Sequence, residues 1–168
     1  MEGKGIHLTC HACEKQWTMD EYGQLSAKDG ETEYPHIPDW YQWQREYVRK
    51  ELEAGTYCLD TDVDIAVQVN LDGVCMIGEG RLKHDLDGFH LTGADGKLDY
   101  RQSPVVSHTL YSDYYWYEIG DVIGIGDNEF SYFCFPKEEV SVTKARLATE
   151  ELYKMKKRKG RADCGGKN

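Results

Sequence analysis

The spacing of apolar residues changes twice along the chain and divides it into segments of different kinds. Near the N-terminus, Ile6-His7-Leu8-Thr9, Gln16-Trp17-Thr18-Met19 and Gln24-Leu25-Ser26-Ala27 are brief apolar runs between polar turns, the pattern of short strands. Ile37, Trp40, Tyr41, Tyr47, Val48 and Leu52 then recur at three- and four-residue intervals, which predicts one face of a helix. Pro38 suits its first turn and Gly55 its end. From Tyr57 to Pro136 the period becomes two. Thr61, Val63, Ile65, Val67 and Val69 alternate with Asp62, Asp64, Ala66, Gln68 and Asn70, so one strand face meets a core and the other meets water. Asp72-Gly73, Asp87-Gly88 and Asp95-Gly96 separate such runs, and Asp-Gly supplies the positive φ that tight hairpins need.

Further strands are expected over 74–83, 89–92, 98–101, 105–110, 114–119, 122–125 and 130–135. Helical spacing returns at Val142, Ala145, Ala148, Leu152 and Met155, with Ser141 or Thr143 as the cap. The expected fold is α+β: a mainly antiparallel β-roll or barrel capped by a C-terminal helix, preceded by half a zinc ribbon and one helix. The boundaries fall at 1–30 for the ribbon hairpin, 31–56 for a linker and amphipathic helix, 57–157 for the roll with its helix, and 158–168 for a flexible basic tail.

Composition narrows the function. The 168 residues carry 20 Lys and Arg against 30 Asp and Glu, a formal charge of −10, and 12% are aromatic. Seven of the basic residues lie in 154–168, leaving a body near −16 and a tail near +6. An acidic body repels phosphate, so no nucleic acid is expected as a partner. No run reaches the roughly 18 apolar residues of a membrane span, and no signal core follows the N-terminus. Six cysteines with one close pair read as reduced thiols, which points to a cytoplasmic setting.

That close pair, Cys10-His11-Ala12-Cys13, has the spacing with which two thiolates grip one tetrahedral metal. A structural zinc takes four ligands, and no second Cys-x-x-Cys occurs in the chain. His7 and His11 are near enough in sequence to be considered as ligands. A non-metal cysteine pair and redox chemistry are the alternatives, the latter without a βαβ context. The expectation is structural zinc on Cys10 and Cys13, completed by ligands outside this chain.

Other groupings read as structure. Asp60, Asp62 and Asp64 lack the glycine and distal glutamate of a calcium loop and fit a solvated strand face. Cys58, Cys75 and Cys134 are expected to be buried strand thiols. Tyr111, Tyr114, Tyr115, Trp116 and Tyr117 are an aromatic cluster whose alternation divides Tyr115 and Tyr117 from Tyr114 and Trp116, one pair for the core and the other for a partner.

The stretch Asp121-Val122-Ile123-Gly124-Ile125, leading through Phe130-Ser131-Tyr132-Phe133-Cys134-Phe135-Pro136 into the last helix, resembles a pleckstrin-homology-like or GRAM-like roll over about 57–157. On a larger scale, Cys10-His11-Ala12-Cys13, Tyr22-Gly23, Ile37-Pro38-Asp39-Trp40-Tyr41 and Tyr114-Tyr115-Trp116-Tyr117-Glu118-Ile119-Gly120-Asp121-Val122 resemble the region C-terminal to the catalytic domain in bacterial 1-acyl-glycerol-3-phosphate acyltransferase-like proteins. The resemblance implies a Cys-rich ribbon joining an upstream acyltransferase domain of the same protein to an accessory domain, with the other cysteine pair just before Met1. That family's catalytic signature is a His-x4-Asp dyad beside a parallel strand. His90 with Asp95 and His108 with Asp113 match its spacing, but they fall at a hairpin turn and before an aromatic strand, so no catalytic residue is assigned here.

The resemblance implies a noncatalytic role in phospholipid synthesis, positioning the catalytic domain or aiding association with a membrane surface. Lys154, Lys156, Lys157, Arg158 and Lys159 are the candidate surface for anionic lipid, peripheral to the inner membrane face. Cations at a helix C-terminus have a purely structural reading too. The reading from a different class is a stand-alone zinc-ribbon module that binds protein or nucleic acid.

Overall fold

The computed structural model describes residues 2–70, 73–127 and 129–164, with side chains described at these positions except 69, 70 and 159–164. The chain is α+β and divides into two compact units, Met1–Glu46 and Tyr47–Asn168.

In the first unit, strands β1 (Glu2–Lys4), β2 (His7–Thr9), β3 (Gln16–Met19) and β4 (Leu25–Ala27) form an antiparallel meander in sequence order. Strands this short bury little, and only Trp17 and Leu25 of the sheet are buried. The first turns of helix α1 (Ile37–Ala54) add to that small core, with Trp40 edge-on to Trp17 at 4.9 Å and Tyr34 at 5.7 Å from both Trp40 and Trp43.

The boundary between units falls inside α1, and its later turns bury Val48 and Leu52. Ile37 and Tyr47 of the predicted stripe are exposed. The helix ends as Gly55 predicts. Gly55 takes φ 69°, its N–H bonds to the Leu52 carbonyl, and the Thr56 N–H bonds to the Glu51 carbonyl, which satisfies two carbonyls of the last turn.

The second unit is built on a seven-stranded, wholly antiparallel sheet of order β8-β7-β6-β5-β11-β10-β9. Its strands are β5 (Leu59–Asn70), β6 (Gly73–Asp85), β7 (Gly88–Gly93), β8 (Leu98–Gln102), β9 (Tyr111–Trp116), β10 (Gly120–Gly126) and β11 (Ser131–Pro136). Two meanders, one of four strands and one of three, are joined where β11 pairs with β5. The outermost strands β8 and β9 are not paired to each other, so this is not a closed barrel. The strand expected over 105–110 is instead a turn and bend with Val105 and Val106 exposed, and Pro104, which has no N–H to give a ladder, opens it.

One face of the sheet carries the core: Val63, Ile65, Leu82, Leu91, Ile123, Ile125 and Cys134, packed with Val142 and Ala145 of helix α2 (Val142–Cys164). Ser141 caps α2, its Oγ accepting the Lys144 N–H at 3.2 Å. The two helices are tied by ion pairs of Arg49 with Glu151 and Lys144 with Glu51. The helix continues to Cys164, past the 157/158 boundary expected for a flexible tail.

Candidate functional site

The Cys10–Cys13 pair sits in the turn joining β2 to β3, shaped as a knuckle. The Cys10 N–H donates to the Lys15 carbonyl and the Glu14 N–H to the Cys10 carbonyl, while Glu14 takes φ 59°. The chain therefore curls tightly around the Cys10 sulfur. The backbone N–H groups of Cys13 and Ala12 and then the Cys13 thiol hold the Cys10 thiol below its ordinary pKa. A thiolate is the form that binds metal, so this environment prepares Cys10 as a ligand. Cys10 is half-buried and Cys13 exposed.

The histidines considered with them are turned to other partners: His11 Nε2 pairs with Glu2 at 2.9 Å, and His7 Nδ1 lies 3.4 Å from Thr18 Oγ1. Among the described residues, no group of three or more His, Cys, Asp or Glu side chains is placed to hold a metal ion. Cys10 and Cys13 offer two soft donors of the kind zinc takes.

The Asp60, Asp62 and Asp64 side chains are each paired with a cation from a neighbouring element. Arg81 bonds Asp60 at 2.7 Å and Asp62 at 3.0 Å, and Lys137 pairs with Asp64 at 3.2 Å. His90 pairs across β7 and β8 with Asp99 at 2.8 Å, not with Asp95, and the His108 ring packs against Tyr153. Of the three cysteines expected to be buried, Cys134 is buried, whereas Cys58 lies exposed before β5 and Cys75 is exposed on β6. The long β5–β6 hairpin runs beyond the core, leaving residues 73–79 of β6 in solvent.

At the basic end of α2, Lys154 is paired with Glu151 at 2.7 Å, the Lys157 ammonium lies 5.4 Å from the Tyr153 ring centre, and Arg158 is exposed. Lys156 lines a small cavity with Met155, Gly55 and Leu86. The Lys159 side chain lies outside the described residues.

The aromatic cluster departs from simple alternation. Tyr114, Tyr115 and Tyr117 are all exposed and only Trp116 is half-buried, so none joins the main core. The cause is backbone: Tyr115, Tyr117 and Glu118 take φ of 52°, 48° and 61°, a conformation costly for side chains of this size. The β9–β10 turn consequently curls back over the outer face of the sheet. Trp116 stacks on Phe133 at 4.6 Å and 17°, beside Phe135, Val122 and Ala66. Tyr111 stands at 76° to Trp116 and 88° to Phe133, and Tyr117 stands at 76° to Trp116 from 4.6 Å.

These rings wall a cavity of about 670 Å³ whose lining also includes Tyr132, Gln102 and Asp127. A second cavity of about 370 Å³ shares Gln68, Trp116, Tyr117 and Phe133 and continues onto Val74, Met76 and Ile119. The Asp127 carboxylate accepts the N–H groups of Phe130 and Glu129, which hold it below the usual carboxylate range. The residue types were visible in the sequence, but the turn that folds them into a walled groove carries no glycine to announce it. The groove and the basic end of α2 lie toward opposite ends of β6, beside Gly73–Met76 and beside Leu86, so they do not form one surface.

No described helix is long and apolar enough to cross a membrane. Comparison with family models, curated proteins and solved structures finds no match to this chain.

Proposed function

We propose that this chain is a noncatalytic accessory module of an acyltransferase-like protein of phospholipid synthesis. In this reading residues 1–30 are a partial zinc ribbon, 31–56 a linker and helix, and 57–157 a PH-like roll with its capping helix. The module positions a catalytic domain or aids its association with a membrane surface. The observation that supports the reading is the knuckle: two thiols in one tight turn between β2 and β3, one of them readied by backbone N–H groups. Such a half site is suited to a segment that docks by sharing a metal with another. Cys10 and Cys13 would hold the zinc, and the metal would supply cross-linking and no chemistry.

The order of the sheet, four strands and then three with a helix after the last, supports the PH-like part. The cationic run Lys156, Lys157 and Arg158 supports the membrane part, each basic group near an anionic surface contributing about 1 kcal/mol. Flotation of the full chain with vesicles tests that role. Phosphatidylglycerol-containing vesicles are expected to carry the chain at low salt, with release as salt rises and loss in Lys156→Glu/Lys157→Glu/Arg158→Glu; phosphatidylcholine vesicles are expected to leave it behind. No flotation with anionic vesicles at low salt overturns the membrane role.

A further inference from the structure

We infer that the groove under the β9–β10 turn is a binding site for a small organic cation, an alkylammonium head carrying an apolar group. Neither the zinc knuckle nor the lipid-surface reading bears on this inference. It rests on shape, on the arrangement of rings, and on charge.

The larger cavity, about 670 Å³, falls in the range of small-molecule sites. Trp116, stacked flat on Phe133, forms one wall, and Tyr111 and Tyr117 both stand nearly perpendicular to it. The rings pack edge-to-face against one another, yet Tyr111, Trp116, Tyr117, Tyr132 and Phe133 all line the one cavity, and the π density of such a lining attracts ammonium groups that cannot be held by hydrogen bonds alone. A neutral apolar ligand needs no such box. It would be served equally by aliphatic walls.

Charge points the same way. Among the described residues, Asp127 is the one carboxylate lining the larger cavity, and no Lys, Arg or His lines it. From Gln102 to Pro136 the sequence has no Lys or Arg but carries Asp113, Glu118, Asp121, Asp127 and Glu129. An anionic ligand would meet the Asp127 carboxylate and no cationic side chain among the described lining residues. Among the described residues the adjoining cavity of about 370 Å³ has no charged lining residue, and Val74, Met76 and Ile119 suit the apolar group joined to the cation. The cost of placing Tyr115, Tyr117 and Glu118 at positive φ is consistent with a turn held in shape for binding.

The test compares choline with its uncharged carbon isostere, 3,3-dimethylbutan-1-ol, on the full chain, by calorimetry and by chemical-shift changes at the Trp116 indole. Choline is expected to bind at least about tenfold more tightly than the isostere and to move the Trp116 resonance. Tyr117→Ala and Asp127→Asn are each expected to weaken choline about tenfold. Both variants should fold, because Tyr117 is 74% exposed and Asn can keep accepting the loop N–H groups that Asp127 accepts. Equal binding of the two compounds, no binding of choline, shifts that bypass Trp116, or binding of a Lys- and Arg-rich peptide in place of choline would each overturn the inference. Vesicle flotation does not read this site, so the two proposals fail separately.

Discussion

Trp116 lies flat on Phe133, with ring centres 4.6 Å apart and planes 17° apart. This contact, with Phe135, Val122 and Ala66 beneath it, forms an apolar cluster on the face of the sheet opposite the main core. Phe133→Ala removes the platform on which the curled turn rests. The expected loss is about 2 kcal/mol, below the usual range for a fully buried Phe because this one is half-buried, and urea unfolding measures it. Trp116 is the only tryptophan after residue 46, so a red shift of its emission in a Trp17→Phe/Trp40→Phe/Trp43→Phe background should accompany the loss.

Gly80 and Gly93 face each other across β6 and β7, and the Ile65 side chain fills the space beside them. A Cβ at Gly80 would stand 2.2 Å from the Thr92 carbonyl oxygen and 2.5 Å from Ile65 Cδ1, and one at Gly93 would stand 2.6 Å from the Glu79 carbonyl oxygen. Backbone cannot yield as a flexible side chain does. Gly80→Ala and Gly93→Ala are each expected to cost about 3 kcal/mol by overpacking. Gly96→Ala, where a Cβ meets nothing within 4 Å, is expected to cost about 1 kcal/mol through its φ of +80° alone. Thermal denaturation of the three variants should rank them in that order.

His84 is buried, stacked on Phe89 at 3.7 Å, with the Tyr57 hydroxyl 3.0 Å from its Nδ1. Burial pushes its pKa down to about 3 from an ordinary 6.5. The folded chain therefore binds fewer protons at this ring than the unfolded chain, and stability falls as pH drops from 6.5 toward 3. The full effect is on the order of 5 kcal/mol. Chemical denaturation at pH 7 and at pH 4.5 should show the decline, and Tyr57→Phe/His84→Leu, which removes both polar partners together, should flatten it relative to the parent chain.

Local chemistry made much of this fold legible. The alternation in 61–70 marked β5, Asp-Gly pairs marked hairpins, and Gly55 and Ser141 marked helix ends, because each signal acts within a few residues. What escaped depends on distant or unusual contacts. The pairing of β11 with β5 joins residues about 70 positions apart, such as Cys134 with Ile65, and no short pattern encodes it. Tyr115, Tyr117 and Glu118 take positive φ in a turn closed by the Tyr115 N–H to the Asp121 carboxylate and the Glu118 N–H to the Tyr115 carbonyl, a geometry that alternation does not encode, so alternation misplaced the aromatic cluster. Burial of Cys58 and Cys75 was misjudged for a related reason. A sequence run indicates a strand but not where the core beneath it stops. At the candidate metal site the Cys10 and Cys13 spacing was plain, while the backbone N–H groups that ready Cys10 come from the turn's geometry.

The central claim is that Cys10 and Cys13 form half a zinc site, and the stoichiometry of the zinc complex tests it most directly. Titration of the reduced chain with Zn²⁺ and a metal assay, alone and with a peptide that supplies a second Cys-x-x-Cys, should show one tightly held zinc per chain only when the second pair is present. Cys10→Ser/Cys13→Ser should abolish that gain. One zinc held tightly by the chain alone, or no gain when the second pair is supplied, would contradict the account.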